Sequence, residues 1–105
     1  MNELKEIYET LKAEGLCSTL TEFSEVWLGR SKHYMAQIGG DPRKASLTSL
    51  RLLVRELELT CLDAKRGASD VTYRRLRAAF VAAQTLCNGI YEMRHVPRCY
   101  WVSAT

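Results

Sequence analysis

Two long periodic segments in the C-terminal half constrain the fold most strongly. Residues 46–66 contain neither proline nor glycine, and their apolar side chains recur at steps of three and four. Residues 70–94 show the same spacing over nearly three heptads, from Tyr73 to Ile90. This spacing gathers apolar side chains on one face of a helix, and the short segment RGASD between the two segments requires the chain to reverse. The sequence therefore predicts two helices that fold back as an antiparallel hairpin.

The N-terminal part is predicted to contain three shorter helices. The first is amphipathic and ends near Gly15, where glycine suits a C-terminal cap. Thr19 and Glu22 have the spacing of a capping box, so a second helix begins near Thr19 and ends at Gly29. Ser31 is then placed to cap a third, short helix.

These elements predict an all-α fold made of a single five-helix domain over residues 1–105. A helix-turn-helix unit, which we call the head, occupies residues 1–40. The loop GGDPRKAS connects the head to the hairpin of residues 46–94. Residues 95–105 contain aromatic residues outside any helical pattern, and we expect an extended tail that packs on the domain or on a partner chain.

Composition places the chain among cytoplasmic proteins without a metal or cofactor. Hydrophobic residues make up 47% of the sequence, but none of its apolar runs approaches the roughly 18 residues of a membrane span. The N-terminus, MNELKEIYETLK, is acidic and amphipathic, unlike a signal peptide. The four cysteines are far apart in the sequence, which favours buried, reduced thiols over a zinc site or disulfides.

The sequence shows no arrangement of catalytic residues. It contains no glycine-rich phosphate loop, no nucleophile elbow and no paired histidine ligands on one helix. We therefore expect a protein that is not an enzyme.

Charge is distributed unevenly along the chain. Residues 1–28 carry six acidic and two basic side chains, whereas residues 29–105 carry a net charge of +7. This asymmetry permits a basic face that meets an anionic partner, and an ordinary solvated surface explains it equally well.

The stretch WLGRSKHYMAQI has the layout of a helix-turn-helix. Such a motif needs a helix, a sharp turn that usually contains glycine, and a second helix whose exposed residues reach base edges in the major groove. Gly29 provides the turn, and Met35 and Ile38, six and nine residues later, lie where the inward residues of a recognition helix belong.

On these residues the chain resembles the phage-repressor-like helix-turn-helix family over roughly residues 16–60. It is also similar to a poorly characterised group of short alphaproteobacterial and mobile-element proteins with an FSxxWLGxSxxY-like core. The repressor pattern usually has a small residue four positions before the glycine. Here Glu25 stands at that position and Ser24 one residue earlier, so we expect the two helices to contact each other differently.

The resemblance implies a set of DNA contacts. Lys, Gln and Ala suit base edges, since they can meet guanine acceptors, adenine and the thymine methyl group. The alternative is that these side chains form a solvated face. The implied base-reading residues are Lys32, His33, Ala36 and Gln37, and the implied phosphate contacts are Arg30, Ser31, Arg43 and Lys44.

A second basic cluster begins the last helix. Arg74, Arg75 and Arg77 lie near the positive end of the helix dipole, which disfavours them by a few tenths of a kcal/mol each. They are either surface charges or a second contact with an anionic partner.

These features predict a sequence-specific DNA-binding regulator, a repressor or autoregulator of a prophage or mobile element. Apolar surface on residues 47–62 and 73–90 suggests a homodimer, whose two recognition helices would lie about 34 Å apart on a palindromic operator. The alternative is a protein-interaction module, such as a phage-encoded inhibitor of a host defence complex or an antiactivator. The acidic second helix and the aromatic tail favour that alternative.

Overall fold

The computed structural model describes residues 3–67 and 69–95, and it is all-α throughout this part of the chain. Five helices form, and the two longest are the predicted hairpin. Residues 96–105 of the predicted tail lie outside the described residues, whereas His95 ends the last helix. The elements are α1 (Glu3–Ala13), α2 (Leu20–Glu22) continued by a π-helical turn (Phe23–Trp27), α3 (Tyr34–Gln37), a 3-10 turn (Pro42–Lys44), α4 (Leu47–Gly67) and α5 (Asp70–His95).

The hairpin is held together by the predicted apolar stripes of α4 and α5. Leu50, Leu53 and Leu57 on α4 are almost completely buried, as are Leu76 and Ala83 on α5. Their burial removes apolar surface from water at roughly 25 cal/mol per Å², which is the main stabilising contribution in a domain of this size. The apolar side chains that recur along residues 46–94 therefore pack against each other within a single chain.

α1 completes the core by packing against α5. Its residues Leu4, Ile7 and Leu11 are buried, and Tyr8 meets Phe23 of the π-helical turn edge to face, with ring centroids 5.7 Å apart. α1 thus connects the hairpin to the rest of the head through one continuous apolar cluster.

Side-chain caps set most helix starts, with one difference from the sequence prediction. Thr19 Oγ1 accepts from the Glu22 N–H at 3.1 Å, as predicted, and Ser46 and Ser69 accept in the same way at the starts of α4 and α5. Ser31 was expected to cap α3 with its side chain, and this prediction is wrong. α3 begins at Tyr34, whose N–H donates to the backbone carbonyl of Ser31.

Three of the four cysteines are described, and all three are buried and reduced. Burial raises the pKa of the Cys61 and Cys87 thiols, and burial together with the nearby Glu22 carboxylate raises the pKa of Cys17. These cysteines are therefore neutral small apolar groups at pH 7. Across residues 3–67 and 69–95 no helix has the length and apolarity needed to cross a bilayer.

Candidate nucleic-acid interface

The turn between α2 and α3 depends on a glycine that also approaches α4. Gly29 has a φ of +64°, a left-handed conformation that costs other residues about 1–2 kcal/mol. A Cβ placed on Gly29 would lie 2.6 Å from Leu52 Cδ2. The backbone conformation of the turn therefore favours glycine, and a side chain at this position would also displace the end of Leu52.

A π-helical turn explains why the small residue stands five positions before Gly29. In this turn the Leu28 N–H donates to the carbonyl of Phe23, five residues back, so one turn of helix contains an extra residue. Ser24 consequently lies about one turn before Gly29, facing inward, and its relative exposure is 0%. Glu25, at the position where the repressor pattern has the small residue, is exposed.

Ser24 positions α3 through a buried hydrogen bond. Its hydroxyl oxygen accepts from the backbone N–H of Met35 at 3.2 Å, and its carbonyl accepts from the N–H of Arg30 at 2.9 Å. Met35 and Ile38 are both buried, as predicted for the inward face of α3. The Ser24 side chain therefore joins the π-helical turn after α2 to α3 by a hydrogen bond within an apolar surround.

Arg30 braces the turn against the start of α4. Its Nε–H donates to Ser49 Oγ at 2.8 Å and its Nη2 donates to Ser46 Oγ at 2.6 Å, while the guanidinium lies 5.6 Å from the centre of the Tyr34 ring. The Tyr34 hydroxyl in turn accepts from the Ser46 N–H at 2.8 Å. This brace consists of Arg30, Tyr34, Ser46 and Ser49, and it engages the arginine that the sequence had suggested for phosphate contact.

The four predicted base-reading side chains lie together on the outside of the head. Lys32 and His33 belong to the turn before α3, and Ala36 and Gln37 lie on its outer face. All four are exposed, and none of the three polar ones makes a side-chain hydrogen bond to a described residue. We call this surface the outer face of the head.

A groove beside the outer face connects it to the first two helices. It has a volume of about 430 Å³ and is lined by Lys32, His33 and Ala36 from the outer face, and by Lys5 of α1 and Leu20 near the start of α2. The sequence does not point to Lys5, because nothing in the spacing of an amphipathic first helix indicates which of its exposed charges lies near α3.

The loop before α4 contributes two exposed basic residues, of which one forms an ion pair within the loop. Asp41 caps the 3-10 turn, where its carboxylate accepts from the Arg43 N–H at 3.0 Å and forms an ion pair with the Arg43 side chain at 3.3 Å. The backbone hydrogen bond first, and then the side-chain hydrogen bond, lower the pKa of Asp41. Lys44 is exposed beside this pair. Ser31, the remaining predicted phosphate contact, is also exposed.

The second basic cluster, at the start of α5, is partly used within the chain. Arg75 Nη1 lies 3.2 Å from Glu14 Oε1, and the Thr72 hydroxyl donates to the other oxygen of the same carboxylate at 3.0 Å. Glu14 therefore ties the end of α1 to the first turn of α5 and offsets the unfavourable position of one arginine near the helix dipole. Arg74 and Arg77 are exposed.

The fold and this surface together define a small all-α protein in which a braced two-helix turn precedes a helical hairpin. The chain belongs to the family described as "Family of unknown function (DUF6626)", whose model matches residues 4–99. Comparison with curated proteins and with solved structures gives no significant match to either.

Proposed function

We propose that this protein binds double-stranded DNA sequence-specifically, through the outer face of the head, and acts as a small cytoplasmic transcriptional regulator. One observation carries the proposal. The brace and the Ser24 contact hold the turn in place, and the side chains displayed on its outer face have no partner among the described residues. Base reading requires hydrogen-bond donors and acceptors that are held in place by the fold and have no partner within the protein.

The chemistry of the outer face suits base edges. Lys32 can donate to guanine O6 and N7, and Gln37 can pair with adenine through both atoms of its amide. Ala36 lies between them in the chain and offers a methyl group of the size that contacts a thymine methyl. His33 can donate or accept, depending on its tautomer.

The charge of residues 26–55 favours a polyanion, although the head itself, residues 1–40, carries six acidic and four basic side chains. Residues 26–55 contain six basic side chains and one acidic one, Asp41, which is paired with Arg43. Glu22 accepts from the Ser18 N–H, so its carboxylate is engaged at the start of α2. Glu25 is the remaining acid on this helix, and it is exposed. A net positive surface of this kind steers DNA to the site and makes binding sensitive to salt.

The shortness of α3 limits how it can enter a groove. Its four residues rise only about 6 Å along the helix axis, so bases can be reached from the preceding turn and the first helical turn alone. Lys32 and His33 lie directly before α3, next to the N-terminal helix residues with which repressor-type recognition helices contact bases. We expect a correspondingly short half-site, in an operator through which the protein of a prophage or mobile element would control its own gene.

A fluorescence anisotropy titration tests the proposal. The probe is a duplex from the protein's own upstream region, and a scrambled duplex of equal composition measures non-specific binding. We expect Lys32→Ala with Gln37→Ala to weaken binding to the upstream duplex about tenfold or more and to leave binding to the scrambled duplex nearly unchanged. The matched control is Lys65→Ala with Gln84→Ala, which removes the same chemistry from exposed positions of the hairpin.

The result for the control decides how the experiment is interpreted. If the control pair weakens binding as much as the outer-face pair, or if both duplexes bind equally well, the proposed base reading is wrong. Affinity for the upstream duplex should also fall steeply as salt rises, because phosphate contacts release counterions.

A groove between α1 and α5 supports a second candidate, a protein-interaction module. It has a volume of about 610 Å³, and Glu6 and Glu9 line one side while Ala78 and Ala82 line the other. Glu3 also lines it, and one of its carboxylate oxygens is buried without a hydrogen-bond partner among the described residues. A basic helix of another protein would satisfy this charge, so the candidate is preferred if neither duplex binds.

A further inference from the structure

The acidic side chains of the head lie mostly on the side of α1 that meets the hairpin. Glu22 is engaged at the start of α2, where it accepts from the Ser18 N–H, and Glu25 is exposed. The other four of the six acids line the groove between α1 and α5, and these are Glu3, Glu6, Glu9 and Glu14. Most of the negative charge of the head is therefore gathered in one groove.

The unengaged basic side chains of the head meet in a different groove. Of its four basic residues, Lys12 lies 6.0 Å from the centre of the Tyr8 ring and Arg30 belongs to the brace. Lys5 and Lys32 are exposed, and neither makes a side-chain hydrogen bond or ion pair to a described residue. Both line the groove beside the outer face, and no acid of residues 3–67 and 69–95 lines it with them. We call it the basic groove.

The basic groove has the mixed chemistry of a surface that receives a sugar–phosphate strand. Apolar side chains of Leu20, Met35 and Ala36 line it beside the basic ones, and Leu20 is 44% exposed. Ammonium groups donate to phosphate oxygens, while an exposed apolar side chain can contact a deoxyribose. The groove also shares Lys32, His33 and Ala36 with the outer face. A ligand of the outer face therefore passes directly beside the groove.

Base reading needs phosphate contacts that the predicted residues supply only in part. Contacts to phosphate and sugar make up half to two-thirds of protein–DNA hydrogen bonds, and they fix the position of the protein on the duplex. Two of the four residues implied by the repressor resemblance are used within the chain, Arg30 in the brace and Arg43 in its pair with Asp41. Lys5 is a cation next to the outer face that the fold leaves available.

We propose that a DNA strand crosses the basic groove beside the bases that the outer face reads, and that the Lys5 ammonium donates to one of its phosphates. The proposal deepens the proposed function and rests on it for the identity of the ligand. α1 then belongs to the DNA interface, although its acids line the other groove. Because every nucleotide carries the same phosphate, Lys5 orients the head on the duplex and reads no sequence.

The anisotropy titration with the upstream and scrambled duplexes tests this contact. Lys5→Ala should weaken binding to both duplexes by the same factor, about threefold to tenfold, and should reduce the slope of log affinity against log salt by about one. The control Lys12→Ala removes the same charge from the same helix and should change either affinity less than about twofold, because salt screens distant charges. Both variants should keep the wild-type circular dichroism spectrum, since alanine favours helix.

Duplexes with a single neutral methylphosphonate linkage locate the contact. At one linkage that flanks the half-site, the wild-type chain should lose affinity while Lys5→Ala loses no more than it already has. Lys12→Ala should lose as much at that linkage as the wild type does. If no linkage behaves in this way, or if Lys5→Ala and Lys12→Ala bind both duplexes equally well, the proposed phosphate contact is wrong.

The same measurements separate this contact from base reading. If Lys32→Ala with Gln37→Ala abolishes selectivity while Lys5→Ala behaves like Lys12→Ala, base reading stands and the phosphate contact fails. If both duplexes bind equally well and Lys5→Ala weakens both, the phosphate contact stands and base reading fails. If the wild-type chain binds neither duplex, both proposals are overturned, and an acidic segment of another protein is the partner that the charge of the basic groove fits.

Discussion

The head and the hairpin are held together in different ways. The hairpin depends on many buried apolar side chains, among them Leu50, Leu53 and Leu57 on α4. The head also has buried apolar side chains, among them Phe23 and Leu28, but its turn and α3 are oriented by a few polar contacts. These are chiefly the Ser24–Met35 hydrogen bond and the brace around Arg30. Apolar packing distributes stability over many residues, whereas each polar contact of the head orients one segment.

This difference has a consequence for function. A surface that reads another molecule must be positioned, and hydrogen bonds are directional where apolar contacts are not. Variants of the hairpin core should therefore lower the stability of the whole domain, while variants of the polar contacts should alter mainly the position of α3. The four predictions below test this distinction.

The largest effect is expected in the hairpin core. Leu57 has a relative exposure of 0%, and Leu57→Ala should lower the free energy of unfolding by about 2–5 kcal/mol because it leaves a cavity. Urea denaturation followed by circular dichroism measures this loss. Val81→Ala, at an exposed position of α5, is the control and should cost less than about 0.5 kcal/mol.

The next effect is expected at Ser24. Ser24→Ala removes the acceptor of the buried Met35 N–H and should cost about 1–3 kcal/mol. Hydrogen exchange of the Met35 amide should become faster by more than the change in global stability alone requires. Ser18→Ala, at an exposed position in the same segment, should do neither. Equal losses of protection throughout the hairpin and the head would show that the contact does not act locally.

A smaller effect distinguishes two glycines with the same backbone conformation. Gly15 and Gly29 both have positive φ, so alanine at either position should cost about 1–2 kcal/mol in strain. Only at Gly29 would the new methyl group meet Leu52, whereas nothing lies within 4 Å at Gly15. Thermal unfolding should therefore show a larger loss for Gly29→Ala. Equal losses would mean that Leu52 moves aside without cost.

The smallest effect is expected for Arg30→Lys. Lysine keeps the charge but cannot reproduce the planar pair of donors to Ser46 and Ser49, so stability should fall by about 1 kcal/mol or less. The amide resonances of residues 30–38 should nevertheless shift, because the brace no longer holds the turn. Arg74→Lys, at an exposed position without a described partner, is the control and should leave those resonances in place.

The sequence predicts the hairpin better than the head, for a physical reason. Apolar periodicity over about twenty residues averages out local irregularities, so α4 and α5 follow their predicted spans closely. The π-helical turn adds a single residue, which spacing alone does not reveal. The inward position of Ser24, one place from where the repressor pattern has its small residue, was therefore visible only in the structure.

The brace could not be predicted because its partners are distant in the sequence. Arg30 contacts residues 16 and 19 positions away, and no local pattern indicates such a contact. The Ser31 cap failed because two further turn residues separate it from the first residue of α3. In contrast, exposure of Lys32, His33 and Gln37 followed directly from the buried phase of Met35 and Ile38.

The most direct test of the central claim is an NMR titration of the nitrogen-15-labelled protein with the upstream duplex. If the outer face reads DNA, amide shifts should concentrate in residues 30–38 and around Lys44, and the scrambled duplex should produce smaller shifts at the same positions. Shifts confined to other surfaces, or no shifts at protein concentrations of hundreds of micromolar, would contradict the account.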